Sequence, residues 1–195
     1  MNPNVPPLRQ EVDKGKLFRE TARVVVIDDK CGTMMDPGDM TRAMCASWAH
    51  SATLFHVRGI EGSTPAEKIE DLRKKLVAAI GTNSTNIIFV LDRDLGIGNL
   101  PLSQSARKSV AATIDQYNDG PALVPHLRQW FNNSPIVGFT GEGDTTGMSE
   151  VYSGVRVIQK PDYAKLKESL IEAFAEGVVP SHSLQNATMP PPLRE

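Results

Sequence analysis

Four short runs of apolar, mostly β-branched residues constrain this chain more than anything else in it: RVVVI at 23–27, NIIFVL at 86–91, PIVGF at 135–139 and VRVI at 155–158. Their apolar residues are consecutive. A strand that hides only one face alternates apolar and polar side chains, so an unbroken run predicts a strand covered on both faces, as in a parallel sheet. A weaker fifth run, ATLFHV at 52–57, lies between the first two. Helical patterns separate the runs. In STPAEKIEDLRKKLVAAIG, Ser63 or Thr64 is placed to cap, Pro65 suits the first turn, and Ile69, Leu72, Leu76 and Ile80 recur at helical spacing before Gly81. In PDYAKLKESLIEAFAEG, Asp162 is placed to cap, Tyr163, Leu166, Leu170 and Phe174 form one stripe, and Gly177 is the expected stop. DMTRAMCASWAH after the first strand and GPALVPHLRQWFNN before the fourth read as further helices, with Pro125 expected near a first turn or a kink. Strands alternating with helices predict a doubly wound α/β fold with right-handed crossovers.

Composition narrows the function. The chain has 195 residues, 40% hydrophobic and 23% charged, enough apolar material for one core. A formal charge of −2, with Lys and Arg scattered, removes the electrostatic footprint of a nucleic-acid binder. No apolar run approaches the roughly 18 residues that span a bilayer, and the first residues, MNPNVPPLRQEVDKGK, lack the apolar centre of a signal peptide. Neither nucleic acid nor membrane is an expected partner, and a cytoplasmic location is expected. Cys31 and Cys45 form no CxxC, and His50, His56, His126 and His182 share no metal-ligand spacing. The Pro-rich and polar stretches at 1–20 and 178–195 read as tails around a folded part at 21–177.

The chemistry gathers at strand ends. The first run ends on Asp28 and Asp29, the third on Asp92 with Asp94 two residues on, the fourth on Thr140 and the last near Lys160. In an open α/β sheet, ligands bind outside the carboxyl ends of the strands at the switch in strand order, so all of these residues are expected around one crevice. Two like charges about 4 Å apart repel by roughly 4 kcal/mol at an effective dielectric near 20. Converging carboxylates therefore need protons or a cation, and a hard divalent ion such as Mg²⁺, which takes oxygen ligands and keeps room for a phosphoryl oxygen, meets that need. A carboxylate so neutralised can attack phosphorus and form an acyl phosphate, while a hydroxyl and an ammonium opposite bind the remaining oxygens.

Taken in order, VVVIDD, IIFVLDRDL, PIVGFTG and VRVIQKP resemble the phosphoacceptor receiver domain of two-component response regulators, over about 21–177. The resemblance implies a flavodoxin-like five-stranded parallel sheet of strand order 2-1-3-4-5. It also implies a phosphorelay-type signalling protein with no enzymatic activity beyond its own phosphorylation and dephosphorylation, and the short stretch after Gly177 makes a stand-alone receiver the expectation. Asp28 and Asp29 resemble the acidic pair that holds Mg²⁺, Asp92 the phosphorylated aspartate, and the backbone carbonyl of Asp94 a further metal ligand. Thr140 resembles the hydroxyl that moves towards the phosphoryl group, Lys160 the cation that pairs with it, and Pro161 a proline whose preceding peptide bond is often cis. Implied partners are a histidine kinase or phosphotransfer protein as donor and an unidentified downstream protein, bound through the last helix or the tails.

The sequence departs from the receiver pattern in its long segments around 30–39 and 96–120, expected to rim the site, and in Val157, which stands where many receivers carry an aromatic residue. Two other readings remain open. A haloacid-dehalogenase-like phosphohydrolase would use Asp92 as nucleophile and Asp94 as acid/base, but it places its last acidic motif downstream of the lysine, whereas here the strong acidic pair lies upstream. A degenerate receiver would keep the fold and act only as a binding module. GEGDTTG at 141–147 follows the fourth strand and lacks dinucleotide-loop spacing; it reads as a loop after Thr140.

Overall fold

The structure, a computed structural model, describes residues 13–32, 35–81, 85–97, 119–131, 134–141 and 154–183, with side chains as far as Gly177. Five strands form one sheet: β1 (Arg23–Asp28), β2 (Ser51–His56), β3 (Ile87–Leu91), β4 (Ile136–Thr140) and β5 (Arg156–Gln159). Their spatial order is β2-β1-β3-β4-β5 and every pairing is parallel. This is the expected flavodoxin-like 2-1-3-4-5 order. Five helices are described: α1 (Lys14–Thr21), α2 (Pro37–Trp48), α3 (Pro65–Ile80), α4 (Asp119–Trp130) and α5 (Tyr163–Ser183).

The consecutive apolar residues divide between two cores by the period of two. Val25 and Ile27 of β1 and Ile87, Phe89 and Leu91 of β3 face a cluster closed by Leu72, Leu76 and Ile80 of α3 and by Leu123, Val124 and Leu127 of α4. Val24 and Val26 with Ile88 and Val90 face the opposite cluster, which holds Phe18 of α1, Cys45 of α2 and Leu166, Leu170 and Phe174 of α5. Each fully buried aliphatic side chain contributes roughly 1.5–3 kcal/mol, so neither face tolerates a polar residue in the strand centres. The edge strand β2 is only partly buried, in keeping with its weaker pattern.

The helix signals act as expected in α3. Thr64 accepts the Glu67 N–H while the Glu67 carboxylate accepts the Thr64 N–H, and Gly81 closes the helix at φ 80°. In α5, Asp162 accepts the Lys165 N–H at 3.0 Å and the predicted stripe enters the second core.

Two local expectations change. Residues 14–20, read as part of a tail, belong to α1, which Asp13 caps; Phe18 is fully buried and meets Phe174 edge to face at 5.5 Å. Two turns with one aromatic anchor are too short for periodicity to show. Helix α5 does not stop at Gly177 but continues to Ser183. That glycine provides close approach: a Cβ there would lie 2.7 Å from Pro135 Cγ. Pro125, expected near a first turn or a kink, sits inside α4. The expected loop at 96–120 lies outside the described residues over 98–118, as do GEGDTTG beyond Gly141 and the tail beyond Ser183. Among the described residues, no helix is long and apolar enough to cross a membrane.

Candidate functional site

Parallel pairing brings the carboxyl ends of β1, β3, β4 and β5 to one edge of the sheet. Ile27 pairs with Leu91, so the residues that follow, Asp28 and Asp92, emerge side by side. Thr140 ends β4 opposite Gln159, and Lys160 follows directly on β5. A cavity of about 180 Å³ opens there, lined by Asp92, Asp94, Thr140 and Lys160, with Lys30 and Pro37 on the side of α2. Asp28, Asp92 and Thr140 are buried, at 1%, 7% and 1% exposure. Polar side chains so enclosed require partners.

Lys160 supplies two of them. Its Nζ donates to Asp28 Oδ2 and to Asp92 Oδ2, each at 3.0 Å. The lysine is itself held. Its backbone N–H donates to the Thr140 carbonyl at 2.7 Å, and its ammonium lies 5.7 Å from the Phe139 ring centroid; the peptide bond before Pro161 is cis. The remaining oxygens of both acids accept backbone donors: Asp28 Oδ1 takes the Lys30 N–H and Asp92 Oδ1 the Arg93 N–H, both at 2.8 Å. Asp29 differs. Its Oδ1 is buried with no hydrogen-bond partner.

Electrostatics follow from this enclosure. Burial, reinforced by Asp28, pushes the Asp92 carboxyl up to about 6 against the pull of Lys160. Burial likewise raises Asp29, with Asp28 and Asp94 adding to it and Lys30 opposing. Lys160 is disfavoured as a cation by its own burial, yet Asp92 and Asp28 outweigh that and hold its ammonium above the usual lysine range.

A cation fits the donor set. One carboxylate oxygen from each of Asp28, Asp29 and Asp92 lies within 4.8 Å of the others. Three carboxylate oxygens so close are compatible with one shared hard divalent ion such as Mg²⁺. The unpartnered Asp29 oxygen is the strongest mark of such a site, because a buried acceptor left unpaired costs about 1–3 kcal/mol. The all-oxygen set suits a hard ion over zinc or copper.

The other predicted residues fall around this centre. Asp94 lines the cavity while its Oδ1 accepts the Gly96 N–H at 3.0 Å. Val157 lies away from it, half-buried against the first core. Cys31 and Cys45 are buried free thiols whose burial pushes each up to about 12.

Several residues around the site carried no sequence signal. His56, at the end of β2, places Nε2 3.3 Å from the Asp29 carbonyl. Asp119, buried at the start of α4, accepts the Ile97 N–H at 2.9 Å, and the Gly120 N–H donates to the Arg93 carbonyl at 2.9 Å. A Cβ on Gly120 would sit 2.0 Å from the Asp92 carbonyl oxygen. The start of α4 thus buttresses the turn after β3. Lys30, beside the acidic pair, was legible only as a loop residue.

No protein-family model matches the sequence, and no curated protein sequence matches it either. Among solved structures, the chain is similar to NtrX from Brucella abortus in complex with ATP, with a TM-score of 0.52 and 17% identity over 88% of this chain and 30% of that one. A further structure of the same protein gives a TM-score of 0.50 at 18% identity over 86% of this chain and 30% of that one. The signal receiver domain of a putative Luxo repressor protein from Vibrio parahaemolyticus is also similar, with a TM-score of 0.48 and 13% identity over 86% of this chain and 99% of that one. The chain spans about 30% of the length of the NtrX chains it matches. Identities this low establish the fold alone. The strand order β2-β1-β3-β4-β5 is the one that flavodoxin and CheY share.

Proposed function

We propose that this chain is a response-regulator receiver that binds Mg²⁺ and accepts a phosphoryl group on Asp92. The reading is carried by one observation: Asp28, Asp29 and Asp92 converge within the reach of one ion, with a buried, unpartnered oxygen on Asp29. Asp28, Asp29 and Asp92, with the backbone carbonyl of Asp94, would hold the ion. When bound, Mg²⁺ neutralises the acids and the phosphoryl oxygens. The Asp92 carboxylate is the nucleophile. Lys160 moves from its two carboxylates to a phosphoryl oxygen, and the Thr140 hydroxyl donates to another. A histidine kinase or phosphotransfer protein is the donor, and the rearranged site signals through contact with a downstream protein.

The test is incubation with Mg²⁺ and acetyl phosphate or phosphoramidate, read by intact mass. Wild type is expected to gain one phosphoryl group and Asp92→Asn none. Fast turnover of phosphate esters that requires Asp94 would instead mark a phosphohydrolase. Absence of both the adduct and Mg²⁺ binding would leave a degenerate module that acts by binding alone.

A further inference from the structure

Among the described residues that line the cavity, Lys30 is a second cation beside Lys160. Its backbone is fixed from both sides. The N–H donates to Asp28 Oδ1 at 2.8 Å, and the carbonyl accepts the Gly38 N–H at 3.1 Å. Gly38 is wedged so closely that a Cβ there would stand 2.9 Å from Cys31 Sγ and 3.0 Å from both Asp28 Cβ and the Lys30 carbonyl oxygen. The first turn of α2 therefore sets where the Lys30 side chain begins, while the side chain is exposed and lines the cavity together with Asp92, Asp94, Thr140 and Lys160.

Charge balance gives this lysine a purpose. Lys160 spends its short contacts on Asp28 and Asp92. Asp28, Asp29, Asp92 and Asp94 against Lys160 and one divalent ion leave the pocket with a single negative charge; Lys30 brings it to neutrality. Lys30 thereby reduces the repulsion that a dianionic phosphoryl donor meets.

Resting on the phosphoacceptor reading above, we infer that Lys30 is the donor-recognition residue of this site, gripping the dianionic phosphoryl group of the donor as it approaches Asp92. With acetyl phosphate, an Asp92 carboxylate oxygen forms the new bond to phosphorus and the bond from phosphorus to the acetate oxygen breaks. Acetate leaves with the bonding pair, so no proton has to move. Lys30 contributes to capture and Lys160 remains the cation at the reacting centre.

Wild type, Lys30→Met and Lys30→Arg are compared in two measurements: the rate of phosphorylation as a function of acetyl phosphate concentration, and Mg²⁺ affinity by calorimetry without donor. Lys30→Met is expected to raise the half-saturating acetyl phosphate concentration about fivefold at low salt with little change in the maximal rate, and to lose most of that effect at high salt. It is also expected to bind Mg²⁺ severalfold more tightly, because a positive charge near Asp29 is gone. Lys30→Arg is expected to behave as wild type. A general structural defect would weaken both affinities together, so opposite movements identify the electrostatic role. Unchanged donor dependence in Lys30→Met, or an effect that ignores salt, overturns the inference while leaving the phosphoacceptor reading intact. A wild-type protein that forms no adduct overturns both.

Discussion

At the scale of the residue, the site is a balance between one ammonium and two enclosed carboxylates. Lys160 lies 3.0 Å from both Asp28 and Asp92 and neutralises two acids that would be costly to bury unpaired. The balance is incomplete, because burial still pushes the Asp92 carboxyl up to about 6 from an ordinary 3.8. The folded chain therefore binds this proton more tightly than the unfolded chain does. By linkage, the stability that comes from the protonated acid is lost as pH rises from about 4 through about 6. Asp92→Asn removes the titration. In metal-free buffer the variant should become more stable than wild type across that window, by up to ~3 kcal/mol, as read by urea denaturation at stepped pH. Added Mg²⁺ should then stabilise wild type above about pH 6 far more than the variant. A stability difference that stays flat from pH 4 to 6 would contradict this account.

At the scale of the element, the helices differ in what their sequences declare. Helix α3 carries its own instructions: Thr64 and Glu67 form the capping box, Pro65 opens the first turn, and Gly81 ends it. Arg23 at the start of β1 adds a donor to the Ile80 carbonyl at 2.8 Å. Helix α4 takes its function from contact. Its opening residues, Asp119 and Gly120, bind the Ile97 N–H and the Arg93 carbonyl and leave no room for a Cβ against Asp92. Gly120→Ala should therefore push α4 off the turn after β3, costing about 1–3 kcal/mol as an overpacked contact. The same variant should slow the phosphorylation proposed for Asp92, because Asp92 opens the displaced turn. Chemical denaturation and the intact-mass assay measure the two effects on one preparation. An alanine variant that matches wild type in both would show that this contact has slack.

At the scale of the whole molecule, one sheet separates two cores, and α1 closes the second of them against α5. Phe18 is the anchor of that closure, and Phe18→Ala should cost about 3–5 kcal/mol by removing a fully buried aromatic. Thermal unfolding checks it; a small loss would mean that α1 is an accessory to the domain. Much of the architecture was legible from the chain itself. Consecutive apolar residues at 24–27 and 87–91 require two covered faces, helical spacing at 69–80 and 163–174 supplies the cover, and Asp28, Asp29, Asp92, Thr140 and Lys160 stand at the strand ends where a parallel sheet gathers them. These features are local, with periods of two or about 3.6 residues, and that is why they can be read without coordinates. The rest depends on contacts between residues far apart in sequence. Only the tertiary structure decided that Lys160 reaches both Asp28 and Asp92, that Asp29 keeps a buried oxygen without a partner, that Phe18 brings residues 14–21 into the core, and that Gly177 and Gly120 are places where other segments press too closely for a side chain. Strand ends can be listed from a sequence, but the distances between them exist only once the sheet has closed.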